Sequence, residues 1–185
     1  MKIFCFGDSN TYGFDPRSYL GDCYNAQERW VDRLAEISSW ETVNAGENGR
    51  RIPRDAAECR KRFLASNADI CLIMLGSNDL LQGLTAEETA QKMERFLNQL
   101  ALEEKTLCLL TPPPFTAGTW VTDETLKEES GKLVRAYALL AQRLNTACIR
   151  TDTWDIPLSF DGVHFTERGH QIFAEKLYCA ILALD

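Results

Sequence analysis

The sequence predicts one α/β domain of three layers, with a parallel sheet of five strands between two layers of helices. Short apolar segments alternate with longer amphipathic ones along the chain. The segment 70–75, Ile-Cys-Leu-Ile-Met-Leu, is apolar without interruption, which is typical of a central parallel strand covered on both faces. The length of 185 residues is that of one domain, so we expect residues 1–185 to fold as a single unit.

The elements follow in order along the chain. The predicted strands are residues 2–6, 41–45, 70–75, 106–110 and 147–151, and the predicted helices are residues 28–37, 53–65, 85–102, 122–146 and 166–182. Thr85 and Glu88 have the spacing of a capping box at the start of the third helix, where positions 93, 96, 97 and 100 are apolar at helical period. Thr166 is the predicted N-cap of the last helix.

Two segments lack periodicity, residues 10–27 and 112–121. Long loops in compact domains are usually functional or disordered. Both of these leave the carboxyl ends of predicted strands, where open α/β sheets bind ligands. The sequence therefore predicts a binding site at this edge of the sheet.

Composition excludes several classes of protein. A net charge of −7 argues against a nucleic-acid partner, which requires a basic face. The basic cluster within residues 50–62 is interleaved with acidic residues and is predicted to be a solvated helix face, although Arg50 and Arg51 could instead meet an anionic substrate group. No apolar run reaches the roughly 18–20 residues of a membrane span, and polar Asp8 comes too early for a signal peptide, so we expect a cytoplasmic protein.

The seven cysteines do not form a disulfide pattern. Their number is odd, no Cys-x-x-Cys occurs, and Cys5, Cys71, Cys108 and Cys148 lie within apolar strand-like segments. We interpret them as small buried thiols.

Ser9 is a candidate nucleophile because Gly7-Asp8-Ser9-Asn10 ends the first predicted strand. From this tetrapeptide alone, a serine that caps a turn is the favoured interpretation. A phosphate-binding loop is not supported, and neither is the Gly-x-Ser-x-Gly motif of α/β-hydrolases.

A serine nucleophile needs a base, and the chain has two histidines. His164 follows Asp161 by three residues across a glycine turn, a spacing that allows the carboxylate to reach Nδ1 while Nε2 points away. His170 falls in a helical pattern and is predicted to be partly exposed. Gly49 and Asn78 follow the second and third strands and could donate hydrogen bonds to an oxyanion, although each alone is more often a turn residue.

Taken in order, these residues resemble the SGNH/GDSL hydrolase superfamily, and especially its arylesterase and acyltransferase branch. The matching blocks are Phe6-Gly7-Asp8-Ser9, Asn44-Ala45-Gly46-Glu47-Asn48-Gly49, Gly76-Ser77-Asn78-Asp79 and Asp161-Gly162-Val163-His164. The resemblance implies a flavodoxin-like strand order of 2-1-3-4-5, Ser9 as nucleophile, His164 as base and Asp161 as its orienting group. It also implies an oxyanion hole formed by Ser9, Gly49 and Asn78, and neither a cofactor nor a metal.

Two positions leave the family pattern open or depart from it. Either Gly46 or Gly49 could supply the backbone donor, and we choose Gly49 because it follows Asn44 by five residues, as the family pattern does. Asn10 stands where the family name has leucine.

We therefore expect a serine esterase that cleaves small or short-chain carboxylic esters through an acyl-enzyme. The alternatives are a carbohydrate O-acetyl esterase, a lysophospholipase or thioesterase, and a catalytically silent flavodoxin-like binding protein. The expected partner is a small-molecule ester, and a homo-oligomer stays open. Several apolar side chains could line the pocket or anchor loops: Phe14, Pro113, Phe115, Phe160 and the four that we take as substrate-binding, Tyr12, Trp120, Trp154 and Val163.

Overall fold

Five parallel strands form the central sheet of the computed structural model, which describes residues 1–18, 20–100, 102 and 107–184. The strands are β1 (Lys2–Gly7), β2 (Glu41–Gly46), β3 (Ile70–Met74), β4 (Leu107–Leu110) and β5 (Ala147–Ile149). Their order is β2-β1-β3-β4-β5, and each neighbouring pair is parallel. The predicted fold class and strand order are thus confirmed, while the predicted first residue of the fourth strand, Thr106, lies outside the described residues.

Helices follow the strands along the chain. They are α1 (Ser9–Tyr12), α2 (Trp30–Ser38), α3 (Ala57–Ser66), α4 (Ser77–Leu81), α5 (Ala86–Leu100), α6 (Glu124–Arg143) and α7 (Glu167–Leu182). The two shortest, α1 and α4, were not predicted, because four or five residues are too few to show a helical period. Position 101, inside the predicted third helix, lies outside the described residues.

The sheet separates two hydrophobic layers because successive side chains of a strand point to opposite faces. Phe4 and Phe6 of β1 pack on one face with residues of α3, α5 and α6, whereas Ile3 and Cys5 pack on the other face with α2 and α7. The same alternation runs through β3 and β4. Both faces are covered, which explains the uninterrupted apolar composition of β3.

The predicted helix caps are present. The backbone N–H of Glu88 donates to Thr85 Oγ1 (3.2 Å), and the backbone N–H of Thr85 donates to Glu88 Oε2 (2.8 Å). Thr166 Oγ1 accepts from the backbone N–H of Gly169 at 3.0 Å. Helix α3 begins at Ala57 rather than at the predicted Pro53.

All seven cysteines are free. Four of them are buried as expected, namely Cys5, Cys59, Cys71 and Cys108. The expectation is wrong for the other three, because Cys23 and Cys148 are half-buried and Cys179 is exposed. Burial raises the pKa of the Cys108 thiol to about 12, so it stays neutral at physiological pH. None of the helices that the structure describes is long and apolar enough to cross a membrane.

Candidate active site

Ser9 lies at the carboxyl end of β1, where the chain enters α1 without a loop. Asp8 caps this helix, and its Oδ1 accepts from the backbone N–H of Asn10 at 3.0 Å. A Cβ atom at Gly7 would lie 2.0 Å from Thr11 Oγ1, so this turn requires glycine. The tight turn places Ser9 at the rim of the sheet, where only 6% of its surface is exposed.

His164 and Asp161 reach Ser9 from the loop before α7. His164 Nε2 lies 3.0 Å from Ser9 Oγ, and His164 Nδ1 lies 2.7 Å from Asp161 Oδ2. The three side chains thus form a continuous hydrogen-bonded chain, although Ser9 and His164 are 155 positions apart in the sequence. A serine, an imidazole and a carboxylate in this order can activate the hydroxyl as a nucleophile.

Asp161 also accepts hydrogen bonds from the backbone. Its Oδ1 accepts from the backbone N–H groups of Val163 (2.8 Å) and His164 (2.9 Å). Burial opposes ionisation of this carboxyl, but the hydrogen bonds from His164 and Val163 outweigh it and hold its pKa below the ordinary value. Asp161 is therefore a carboxylate at neutral pH, fixed in orientation toward the imidazole.

Gly49 and Asn78 face Ser9 across a small cavity. Gly49 has a φ of +70°, a conformation that favours glycine, and nothing lies within 4 Å of a Cβ placed there. Asn78 is the second residue of α4, and its Nδ2 donates to the carbonyl of Arg50 at 3.2 Å. By contrast, the N–H of Gly46 donates to Asn44 Oδ1 at 2.9 Å, and Gly46 is not part of the cavity lining.

The cavity has a volume of about 110 Å³ and an apolar wall. The ring centroids of Phe14 and Trp120 lie 4.7 and 5.1 Å from that of His164. The complete lining consists of Ser9, Phe14, Asn48, Gly49, Asn78, Trp120 and His164. A wider groove of about 560 Å³ between α5 and α6 is lined by no serine, cysteine or histidine.

Three of the four predicted substrate-binding residues lie outside this lining. Trp154 packs on Phe173, with ring centroids 5.3 Å apart, because it belongs to the hydrophobic layer beneath α7. Val163 is 3% exposed and lies in the opposite layer. Tyr12 ends α1 and its phenol meets Cys23. Trp120 is the one of the four that lines the cavity, and Asn48 was not anticipated.

Arg50 is buried, which corrects the expectation of a solvated helix face. Its Nη1 donates to the carbonyls of Gly7 (2.9 Å) and Ala45, and the guanidinium lies 4.2 Å from the centroid of the Phe6 ring. Glu47 neutralises its charge. Arg50 thus connects the carboxyl ends of β1 and β2 beneath the site by donating to a carbonyl of each strand.

Two further titratable groups are buried near the site. Burial raises the pKa of Asp8 to about 6, although the backbone N–H of Asn10 and the charge of His164 act in the opposite direction. His170 is fully buried, against the expectation of partial exposure, and burial lowers its pKa to about 3. Its Nδ1 therefore accepts, from the backbone N–H of Trp30 at 3.3 Å. Among the described residues, no group of three or more His, Cys, Asp or Glu side chains is arranged to hold a metal ion.

Known proteins share the sequence family and the fold of this chain. Residues 5–172 match the model of the GDSL-like lipase/acylhydrolase family. The fold is similar to that of an M. smegmatis aryl esterase, with 22% identity over 100% of this chain and 99% of that one and a TM-score of 0.87. The fold is also similar to that of Est24, a carbohydrate acetylesterase from Sinorhizobium meliloti, with a TM-score of 0.83. The identity is 22%, over 100% of this chain and 99% of that one. No curated protein sequence matches the chain.

Proposed function

The chain belongs to the GDSL-like lipase/acylhydrolase family and is a carboxylic ester hydrolase, and on this premise we propose that it cleaves esters of short acids through an acyl-enzyme formed on Ser9. The observation that carries the proposal is the chain of hydrogen bonds from Ser9 Oγ to His164 Nε2 and from His164 Nδ1 to Asp161 Oδ2. We further propose that residues 1–185 act as one domain.

Acylation uses each member of this chain in turn. Ser9 Oγ attacks the ester carbonyl while His164 Nε2 takes its proton, and the carboxylate of Asp161 stabilises the imidazolium. The backbone N–H groups of Ser9 and Gly49 and the Nδ2 of Asn78 hold the oxyanion. The alcohol then leaves with the proton from His164. In deacylation, water gives a proton to His164, its oxygen attacks the acyl carbonyl, and Ser9 recovers its proton as the acid departs.

The size of the cavity supports a short acyl group. Pockets for drug-sized ligands occupy roughly 300–1,000 Å³, whereas this one has about 110 Å³. Phe14 and Trp120 limit it on the side of His164. We therefore propose acetate and similarly small acids as the acyl group, which argues against a lysophospholipase or thioesterase that prefers long chains.

A carbohydrate O-acetyl esterase is the second candidate. The same small cavity accepts an acetyl group, and a structurally similar protein, Est24, is described as a carbohydrate acetylesterase. Trp120 is 53% exposed and offers a flat apolar face at the mouth, which suits either an aryl or a sugar alcohol. The two candidates share the acyl group and differ in the alcohol.

The seven free cysteines support a reducing compartment. We therefore propose that the enzyme acts in the cytoplasm.

Covalent labelling tests the mechanism directly. A fluorophosphonate probe should label Ser9, as shown by peptide mass mapping, and Ser9→Ala should abolish both the labelling and the burst of p-nitrophenol from p-nitrophenyl acetate. Ser77, the buried serine that follows β3, is the matched control, and Ser77→Ala should still be labelled. Wild-type turnover in the Ser9→Ala variant would refute the proposal.

An ester panel then separates the candidates. With p-nitrophenyl esters from C2 to C12, we expect kcat/KM to fall with chain length. Activity on acetylated sugars that exceeds activity on aryl acetates would identify the carbohydrate esterase, and activity that rises beyond C8 would contradict the short-acyl proposal.

A further inference from the structure

Asn10 follows the proposed nucleophile, and its side chain has no part in the chemistry described above. It is 5% exposed, does not line the cavity, and makes two hydrogen bonds. Its Nδ2 donates to the carbonyl of Val163 at 3.1 Å, and its Oδ1 accepts from the backbone N–H of Phe165 at 2.9 Å. The amide therefore binds the backbone on both sides of His164.

These two bonds are most of the hydrogen bonding between the serine turn, positions 8–12, and the histidine loop, positions 161–165. Among the described residues, three hydrogen bonds join positions 8–12 to positions 161–165. One is the bond between Ser9 and His164 itself, and the other two are those of the Asn10 side chain.

The histidine loop is otherwise hydrogen-bonded to itself, to the neighbouring loop that holds Trp120, and to Tyr24, whose hydroxyl donates to the carbonyl of Phe165 at 3.4 Å. The backbone N–H of Ser159 donates to the carbonyl of His164 at 2.7 Å, and Asp161 accepts from two backbone groups within the loop. The backbone N–H of Trp120 donates to the carbonyl of Asp161 at 3.2 Å. These bonds fix the shape of the loop, and the Phe14 ring packs on the His164 ring. The two hydrogen bonds of the Asn10 amide connect the backbone on both sides of His164 to the serine turn.

The backbone of Asn10 is also held by hydrogen bonds. Its backbone N–H donates to Asp8 Oδ1, and its carbonyl accepts from Trp30 Nε1 at 2.9 Å. Trp30 is 1% exposed and its backbone N–H is bonded to His170. With every polar group engaged, the Asn10 amide is a fixed point against which the histidine loop is placed.

We propose that Asn10 is a positioning residue that sets the separation between His164 Nε2 and Ser9 Oγ by pairing with the backbone on both sides of the histidine. This inference rests on the proposed function, because it takes His164 as the base. Leucine, the residue at this position in the family name, has a similar shape but can make neither hydrogen bond. A base displaced by about 1 Å can lose on the order of 10² in rate.

The test is a double-mutant cycle between Asn10 and His164, read as kcat for p-nitrophenyl acetate. Asn10→Leu should lower kcat by about 10- to 100-fold with little change in KM, since the side chain does not reach the cavity. Asn10→Asp, which keeps the shape and one of the two bonds, should lower kcat in the same way. In the His164→Ala background, each Asn10 change should alter the remaining rate by less than about threefold, because the base on which it acts is gone.

Asn44 is the matched control. Its Nδ2 donates to the carbonyl of Thr11 and its Oδ1 accepts from the N–H of Gly46, each at 2.9 Å, so it makes the same two types of bond beside the same helix without contacting the histidine loop. The factor lost on Asn44→Leu should be equal with and without His164. Circular dichroism and thermal unfolding of each variant ensure that rates are compared between folded proteins.

The outcomes are distinct. An Asn10 effect that disappears without His164 supports the positioning role. An equal factor in both backgrounds overturns it, because Asn10 would then act on Ser9 or on the fold alone. If His164→Ala itself keeps wild-type turnover, His164 is not the base, and both the proposed function and the positioning role are refuted.

Discussion

Asp161 holds His164 through both of its carboxylate oxygens: Oδ2 lies 2.7 Å from Nδ1 of the imidazole, and Oδ1 accepts from the backbone N–H of the same residue at 2.9 Å. The two contacts have separate roles. The backbone bond closes the loop, and the side-chain bond determines which nitrogen carries the proton. A substitution can therefore remove the second role while keeping the first.

Asp161→Asn should lower kcat by about 10³–10⁴ without unfolding the protein. An amide at this position keeps an oxygen for the backbone N–H groups of Val163 and His164, but it presents an N–H to Nδ1. The imidazole must then carry its proton on Nε2, where it cannot accept one from Ser9. Steady-state kinetics and thermal unfolding check this, with Asp152→Asn, which affects an ion pair with Arg150 outside the cavity lining, as control. A loss of less than about tenfold would contradict the proposed role of Asp161.

Asn78→Ala should lower kcat by about 10²–10³ and leave KM nearly unchanged. The Asn78 amide lines the cavity beside Ser9, and an oxyanion donor acts mainly in the transition state. Gln82, which follows the same helix α4 and lies outside the cavity lining, is the control, and Gln82→Ala should keep kcat. A rise in KM at constant kcat would instead indicate that Asn78 binds the ground state of the substrate.

Trp120→Ala should shift the acyl preference toward longer chains. The indole lies edge-to-face with His164, with ring centroids 5.1 Å apart, and its removal opens the cavity on that side. The ratio of kcat/KM for propionate to that for acetate should rise about tenfold, since the one additional methylene group in an apolar pocket contributes roughly 1–3 kcal/mol. Phe160→Ala, at a similarly exposed aromatic residue outside the lining, should leave the ratio unchanged. An unchanged ratio in Trp120→Ala would show that this residue does not limit the acyl group.

The strands were predictable because their composition reports directly on their surroundings. A parallel strand covered on both faces must be apolar throughout, and β3 is. The cap at Thr85 was predictable for a similar reason, because both of its partners are within one turn. The order of blocks around Ser9, Asn78 and His164 identified which strand ends meet.

The errors concern polar and aromatic residues whose surroundings come from distant positions. Arg50 was expected in solvent because it lies in a basic segment, but it is buried against Phe6, 44 positions earlier. His170 was expected at a helix surface, but it is fully buried against the rings of Tyr24 and Phe165. Trp154 was assigned to the pocket and belongs to the layer under α7. No local pattern carries information on such contacts.

Asp8 and His170 make opposite contributions to the pH dependence of the unfolding free energy. Burial raises the pKa of Asp8 from 3.8 to about 6, so between these values the native carboxyl keeps a proton that the unfolded chain releases. Burial lowers the pKa of His170 from 6.5 to about 3, so over the same range the unfolded chain binds a proton that the native state lacks. Asp8 therefore makes stability fall as the pH rises from about 4 to 6, and His170 makes it rise by a similar amount.

Asp8→Asn should remove the contribution of Asp8 to the pH dependence of the unfolding free energy. Above about pH 6 the wild type carries a buried charge that costs roughly 3 kcal/mol relative to low pH, and the variant does not. The unfolding free energy of the variant minus that of the wild type should therefore increase by about 2 kcal/mol between pH 4 and 6 and become nearly constant from about pH 7. Urea unfolding at intervals of half a pH unit from 4 to 8 measures this difference, in which the contribution of His170 and of the other carboxyls cancels. A difference that stays constant or decreases as the pH rises would refute the raised pKa of Asp8.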